Sequence, residues 1–296
     1  RASLLQLFYF LIKTGVFMGV FYSLNAIIHF PIMQETANPV MIAVFHSVFN
    51  IIAVLLMLPA SEFLVRLVEK ALPVTDKERA VSERKRELQM LDPRFITSTS
   101  YAIEQCEKAT FRMADYTKEA LSTAMGLVLN FNEEGAAKVD QLERTVDDYE
   151  DQLNSYLSSI SGKTFTAKDS HMFTLLMHCI GDFERISDHA LNVMQKAREM
   201  DEKGEHFSLR AQEELQIFEA ALNDIMERTV RAFCEDNTQI AATVEPLEEV
   251  IDGLNMEIKR RHVKRLRKGK CTVETGMALE DIITDYERIA DHCNNV

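Results

Sequence analysis

With only 10 Gly and 6 Pro in 296 residues, the chain lacks the punctuation that a sheet protein with many turns requires. Cysteine is equally sparse. Cys106, Cys179, Cys234, Cys271 and Cys293 are odd in number, widely spaced and without a CxxC pair. That pattern excludes a disulfide framework and a zinc knuckle, and leaves reduced thiols packed as small hydrophobes. No Gly-rich phosphate loop, catalytic zinc motif or nucleophile and base constellation is visible either, so the chain is not expected to be an enzyme. Charge is missing from one region alone: residues 1–60 carry only Arg1, Lys13 and Glu35, while the whole chain has a net charge of -13.

What remains is rich in Leu, Glu, Ala and Met over long uninterrupted stretches, and the expected fold class is all-α. An acidic total does not suit a nucleic-acid binder. The basic run HVKRLRKGK from His262 reads as a solvated helix C-terminus ahead of a Gly, where cations complement the helix dipole. The chain begins at Arg1 and stops at Val296 in mid-pattern, which is expected of a piece of a longer protein.

The uncharged region holds two apolar runs, SLLQLFYFLIKTGVFMGVFYSLNAIIHFPI from Ser3 and PVMIAVFHSVFNIIAVLLMLP from Pro39. Each has the length of a membrane span, which needs about 20 apolar residues. Two spans without a small-residue cleavage site argue against a signal peptide. The intervening MQETANP has no Lys or Arg, whereas Arg66, Lys70, Lys77, Arg79, Arg84, Lys85 and Arg86 follow the second run. The positive-inside rule then expects a multi-pass membrane protein with its large C-terminal region in the cytoplasm. The amphipathic SEFLVRLVEKALP would lie along the inner surface. Lys13 would snorkel, line a cavity or mark an interrupted helix. Asn25 with His29, and His46 with Asn50, are polar pairs one helical turn apart; they would bond between helices or form a wall of a solute path.

The acidic region repeats itself. DFERISDHALNV from Asp182 returns as DYERIADHCNNV from Asp285, an offset of 103. Upstream, Val139, Leu142, Val146, Tyr149 and Leu153 match Val244, Leu247, Ile251, Leu254 and Ile258 at an offset of 105. Spacings of three and four make each set a coiled-coil-like seam. Two three-helix units are therefore expected, with helices near 95–130, 134–161 and 167–201, then 208–235, 238–268 and from 272 onward. The domain plan is membrane segments over 1–73, a linker over 74–94, and a duplicated bundle over 95–296 with repeats 95–203 and 204–296.

Acids sit at matched places in both copies: Glu143, Asp147, Glu184 and Asp188 in the first, Glu248, Asp252, Glu287 and Asp291 in the second. Each pair is four residues apart and continues an apolar row, although such a row drifts about 40° per step. Four carboxylates brought together would raise one another's pKa or demand cations. An oxygen-only nest suits Mg, Mn or Fe(II), and Zn if water or imidazole joins. The other reading is solvated pairing with Arg185 and Arg288. His189 and His292 lie about 100° round from their Glu, and are expected to support ligands rather than act as them. The five residues from Glu to His in ERISDH disfavour a di-iron bundle, which wants ExxH.

The two phrases, with their preceding ExxxD partners, resemble the ExxxDxxxN signatures of PhoU-like domains. That resemblance implies paired three-helix bundles with acidic motifs that bind metal clusters, over roughly Phe95 to Val296. IAVFHSVFNIIAVLLMLP is similar to the last membrane segment of bacterial sodium/phosphate cotransporters of the type II family, many of which carry such a tail. Together the resemblances imply sodium-dependent transport of inorganic phosphate, with sodium as coupling ion and a regulatory tail binding Fe, Mn, Mg or Zn. Membrane lipid and a second copy in a homodimer are the further expected partners. The family's Gln-Ser-Ser motifs are absent, so any sodium- and phosphate-binding residues of that family are expected upstream of Arg1. The alternative is a membrane-tethered phosphate-signalling regulator without transport of its own.

Overall fold

The structure, a computed structural model, describes residues 2–30, 38–57, 91, 96 and 98–296. The chain divides into two units, residues 1–83 and 84–296. In the first, apolar runs without an internal proline form α1 (Ala2–Ile28) and α2 (Pro39–Met57). Pro39 stands at the first helical position, where its missing N–H costs nothing. Lys13 does not interrupt α1. Its buried ammonium donates to Asn50 Oδ1 at 2.6 Å and lies 4.7 Å from the Phe49 ring centroid.

Among the described residues no helix is long and apolar enough to cross a membrane. This corrects the expected pair of spans and, with them, the placement as a multi-pass protein of a bacterial cell membrane. The physical reason lies in polar residues along the runs: Lys13 donates to Asn50 between α1 and α2, and Asn50 donates to the His46 carbonyl within α2. Asn25 serves as a helix stop, its Oδ1 accepting from Phe30 N at 3.0 Å, and His29 next to it takes φ 54°. SEFLVRLVEKALP, the basic residues from Arg66 to Arg86 and almost all of the 74–94 linker lie outside the described residues.

The elements described in the second unit are helices joined by short connections. Its first repeat has α3 (Thr99–Leu129), α4 (Glu133–Ile160) and α5 (Ala167–Glu202); its second has α6 (Leu209–Cys234), α7 (Thr238–Ala241), α8 (Val244–Arg267) and α9 (Val273–Asn295). Side-chain caps set several starts. Asn132 accepts from Gly135 N at 2.8 Å, Thr166 from Asp169 N at 3.1 Å, and Thr272 from Thr275 N at 3.1 Å. Glu133 and Glu134 add negative charge at the positive end of α4. We expect Asn132→Ala to lower stability by about 1 kcal/mol, read as a shift of the urea midpoint at unchanged slope. An unshifted midpoint would show that the cap contributes nothing.

One expected helix, 238–268, is broken into α7 and α8 at Ala242 and Thr243. Pro246 explains the break: it has no N–H to give to a carbonyl four residues back, and its ring crowds that carbonyl. Gln141 occupies the matching position in the first repeat, where α4 runs unbroken.

Within each repeat the three main helices pack on one another, and the repeats join through α3 against α6 and α5 against α9. The α4 seam is buried at all five positions, whereas in α8 Leu247 and Leu254 are half-buried. Tyr149, Phe183, Phe218 and Tyr286 are fully buried, each contributing about 2–3 kcal/mol of apolar burial. Phe233 crosses between the repeats, its ring 5.4 Å from Phe111 and 5.6 Å from Phe183. All five cysteines are free. Burial pushes the thiols of Cys106, Cys179 and Cys293 up to about 12, so these sulfurs pack and do not react.

Candidate metal centre

The seams decide where the acids fall. In α4, Val139, Leu142, Val146 and Tyr149 face the core, so Glu143 and Asp147 emerge at the edge of that face, toward α5. Asp188 comes from α5 to meet them. One carboxylate oxygen from each of Glu143, Asp147 and Asp188 lies within 4.8 Å of the others. The second repeat builds the same triad from Glu248 and Asp252 on α8 and Asp291 on α9, again within 4.8 Å. All six residues are half-buried.

Electrostatics follow from that crowding. Glu143 is raised first by burial, then by Asp147 and Asp188; Asp147 by burial, then by Asp188. Glu248 is raised by burial and then by Asp252 and Asp291. The Asp252 Oδ1 atom is buried without any hydrogen-bond partner among the described residues. A buried carboxylate oxygen with no donor is costly, and a cation would satisfy it. The donor set is oxygen only, as hard cations prefer. The residues present therefore fit a metal ion on two grounds, the orphaned oxygen and the chemistry of the donors.

Glu184 and Glu287 stand one turn before the aspartates and outside the two triads, as the drift of a four-residue row requires. Their surroundings differ. Glu184 is pushed up to about 7, by burial first and then by Asp188, and Glu150 adds to the negative field. At the position matching Glu150 the second repeat has Asn255, which donates to Glu287, and Lys259 lies 3.9 Å from the same carboxylate. Arg185 reaches Glu184 at 3.4 Å and Asp188 at 3.7 Å, so the pairing reading holds in part for the first copy. Arg288 has no carboxylate within 4.0 Å among the described residues.

The two histidines do something that the sequence reading did not foresee. His189 Nδ1 bonds Asp285 Oδ1 at 2.9 Å, and His292 Nδ1 bonds Asp182 Oδ1 at 2.9 Å. A carboxylate only accepts, so each imidazole N–H donates. The rings stack with centroids 5.8 Å apart. Each histidine therefore reads the opposite repeat, one residue away from a triad aspartate of its own. Asp182 and Asp285 open both repeated phrases, and that repetition was the available signal. Asn25, His29, His46 and Asn50 belong to the first unit, and the structure brings His46 and Asn50 together while Asn25 caps its own helix.

A bundle of paired three-helix repeats with an acidic triad in each defines a class of duplicated, carboxylate-bearing helical domains. The PhoU domain family matches residues 110–197 and 219–296, more than half of the chain, both stretches within the helical bundle. The chain belongs to that family. It is 25% identical over 186 residues to a phosphate-specific transport system accessory protein PhoU homolog 1 from Thermotoga maritima, which covers 62% of this chain and 79% of that protein. The crystal structure of PhoU from Pseudomonas aeruginosa superposes with a TM-score of 0.61 at 19% identity, over 65% of this chain and 91% of that one. The phosphate transport system regulatory protein PhoU from Streptococcus pneumoniae does so at 0.60 and 16%, over 67% and 92%. These two likenesses carry the fold.

Proposed function

We propose that this chain is a non-enzymatic regulator of inorganic phosphate transport whose two acidic triads bind divalent or trivalent cations, with Fe, Mn, Mg and Zn as the candidates. The observation that carries the reading is the recurrence of one three-carboxylate triad at equivalent places in both repeats. Its relatives' names supply the phosphate-transport context. Glu143, Asp147 and Asp188 would hold one ion, and Glu248, Asp252 and Asp291 the other. A bound cation supplies the positive charge that the crowded carboxylates lack. The residues do the rest: the acids tie α4 to α5 and α8 to α9, while His189 and His292 link the two motifs across the repeats. Filling of one triad would in this way bear on the docking of both repeats.

Two measurements test this together. Metal content and melting temperature of the full chain are compared with those of the Asp188→Asn, Asp291→Asn variant, with each cation added. We expect the parent to gain on the order of 5 °C from its preferred cation, about 1–2 kcal/mol, and the variant to gain nothing. Phosphate uptake by cells carrying the variant should then differ at least twofold from uptake with the parent. Unchanged metal content together with unchanged uptake overturns the reading. The finer reading, sodium-coupled phosphate transport, predicts that uptake follows the sodium gradient; uptake indifferent to sodium removes it.

A further inference from the structure

The basic run from His262 has a place in the fold that the acidic triads do not use. It closes α8, and with the start of α6 it walls a cavity of about 450 Å³ lined by Arg210, Arg261, Lys264, Arg265, Lys268 and Lys270. Among the described residues Glu213 and Glu214 supply the only negative charge lining it, so six cations face two acids in a chain whose net charge is -13. Glu214 is already engaged, with Arg265 at 2.6 Å and Arg261 at 3.6 Å. Among the described residues no carboxylate lies within 4.0 Å of Arg210, Lys264, Lys268 or Lys270.

Complementing the end of α8 does not explain this cluster. The last carbonyls are met by backbone: Lys268 N and Lys270 N both donate to Arg265 O, and Gly269 N to Leu266 O. Gly269 takes φ 61° to make that turn, a conformation that a side chain disfavours. The cations are left over. Independently, Arg265 is 8% exposed and its Nη2 is buried with no hydrogen-bond partner. A buried guanidinium N–H without an acceptor is as costly as an orphaned oxygen. An acceptor from a ligand in the cavity would satisfy it.

We propose that this cavity is a binding site for an inorganic oligophosphate, an anion carrying two or more linked phosphates. Four unpaired cations exceed what one phosphate neutralises, and the volume is several times that of one phosphate. Among the described residues no aromatic side chain lines the cavity and Ile217 is its one apolar residue, so none of them stacks on a nucleobase or holds the apolar part of a peptide. Phosphate oxygens match the three donors of each ammonium and the fork of Arg265.

The test is calorimetric titration of tripolyphosphate into the full chain, in buffer freed of metal by a chelating resin. One tripolyphosphate should bind per chain, at least tenfold tighter than orthophosphate, and more weakly as NaCl is raised. The variant Lys264→Ala, Lys268→Ala, Lys270→Ala should lose at least tenfold in affinity at unchanged melting temperature, and the matching three-arginine variant should retain it. Asp188→Asn with Asp291→Asn should bind as the parent does, which separates this site from the acidic triads. Absence of saturable binding overturns the proposal, and so does equal affinity for orthophosphate or equal binding by the three-alanine variant. Binding of phosphatidylglycerol vesicles or of polyglutamate through the same lysines, without binding of tripolyphosphate, also overturns it.

Discussion

Arg265→Ala should lower stability by about 3 kcal/mol and the melting temperature on the order of 10 °C, making it the most damaging single charge removal in the bundle. Arg265 and Glu214 come from α8 and α6, meet at 2.6 Å, and each leaves only 10% of its side chain exposed. Taking away the guanidinium strands a buried carboxylate. Arg261, 3.6 Å from Glu214 but also bonded to Glu257 at 2.7 Å, compensates in part, which places the cost at the lower end for a broken buried pair. Replacing both partners, with Glu214→Leu and Arg265→Met, should recover most of the loss because no charge is then left unpaired. Urea unfolding of the two variants measures the difference. A loss under 0.5 kcal/mol in Arg265→Ala would mean that water reaches the pair.

The metal-free chain should melt at a higher temperature at pH 5.5 than at pH 8, by on the order of 5 °C. Glu184 and Glu219 are both raised to about 7 with burial as the largest cause, and Glu143, Asp147 and Glu248 are raised as well. In the unfolded chain such groups release their protons near pH 4. Between those limits the folded state binds more protons than the unfolded one, so stability falls as pH rises. The contribution is present in full below about pH 4 and gone above about pH 7. Glu257 acts in the opposite direction, since Arg260 and then Arg261 hold its carboxyl down at about 2, and its benefit disappears only in stronger acid. With solvent screening allowed for, the raised group contributes about 2 kcal/mol. Glu219, which accepts from the buried Tyr286 hydroxyl at 3.1 Å, isolates part of the effect: Glu219→Gln should flatten the pH profile without touching the triads. At pH 8 the preferred cation should restore the parent and leave the Asp188→Asn, Asp291→Asn variant unchanged. A profile that rises from pH 5.5 to 8 contradicts the burial of these acids.

Much of the bundle was legible because its signals are local or repeated. A three-four spacing marks the face of Val139 to Leu153 without reference to any neighbour, and the offsets of 105 and 103 between copies locate the second set of helices from the first. The break before α8 was also written in the chain, in Pro246. The triads were legible to one turn: Glu143, Asp147 and Asp188 meet, as do Glu248, Asp252 and Asp291, while helical drift sets Glu184 and Glu287 aside. What could not be read was contact between elements far apart in the chain. Glu214 and Arg265 are 51 residues apart, and His189 and Asp285 are 96 apart; no spacing rule pairs them. The apolar runs of α1 and α2 misled for a related reason. Lys13, His46 and Asn50 read as isolated polar residues along the chain, and they become a bonded seam only when the helices pair.

The exchange between His189 with Asp285 and His292 with Asp182 has the form of a contact between two copies of one protein. Each repeat supplies one donor and one acceptor to the same pattern, so the surface is complementary to itself, as in a two-fold homodimer. Only the short segment from Lys203 to Ser208 separates α5 from α6, and it turns an association between molecules into an internal one. The pairing of the halves is therefore independent of protein concentration. Each half is also free to diverge without losing its mate, which is how Asn255 can stand where its counterpart has Glu150, and one acidic motif can differ from its twin within a single chain.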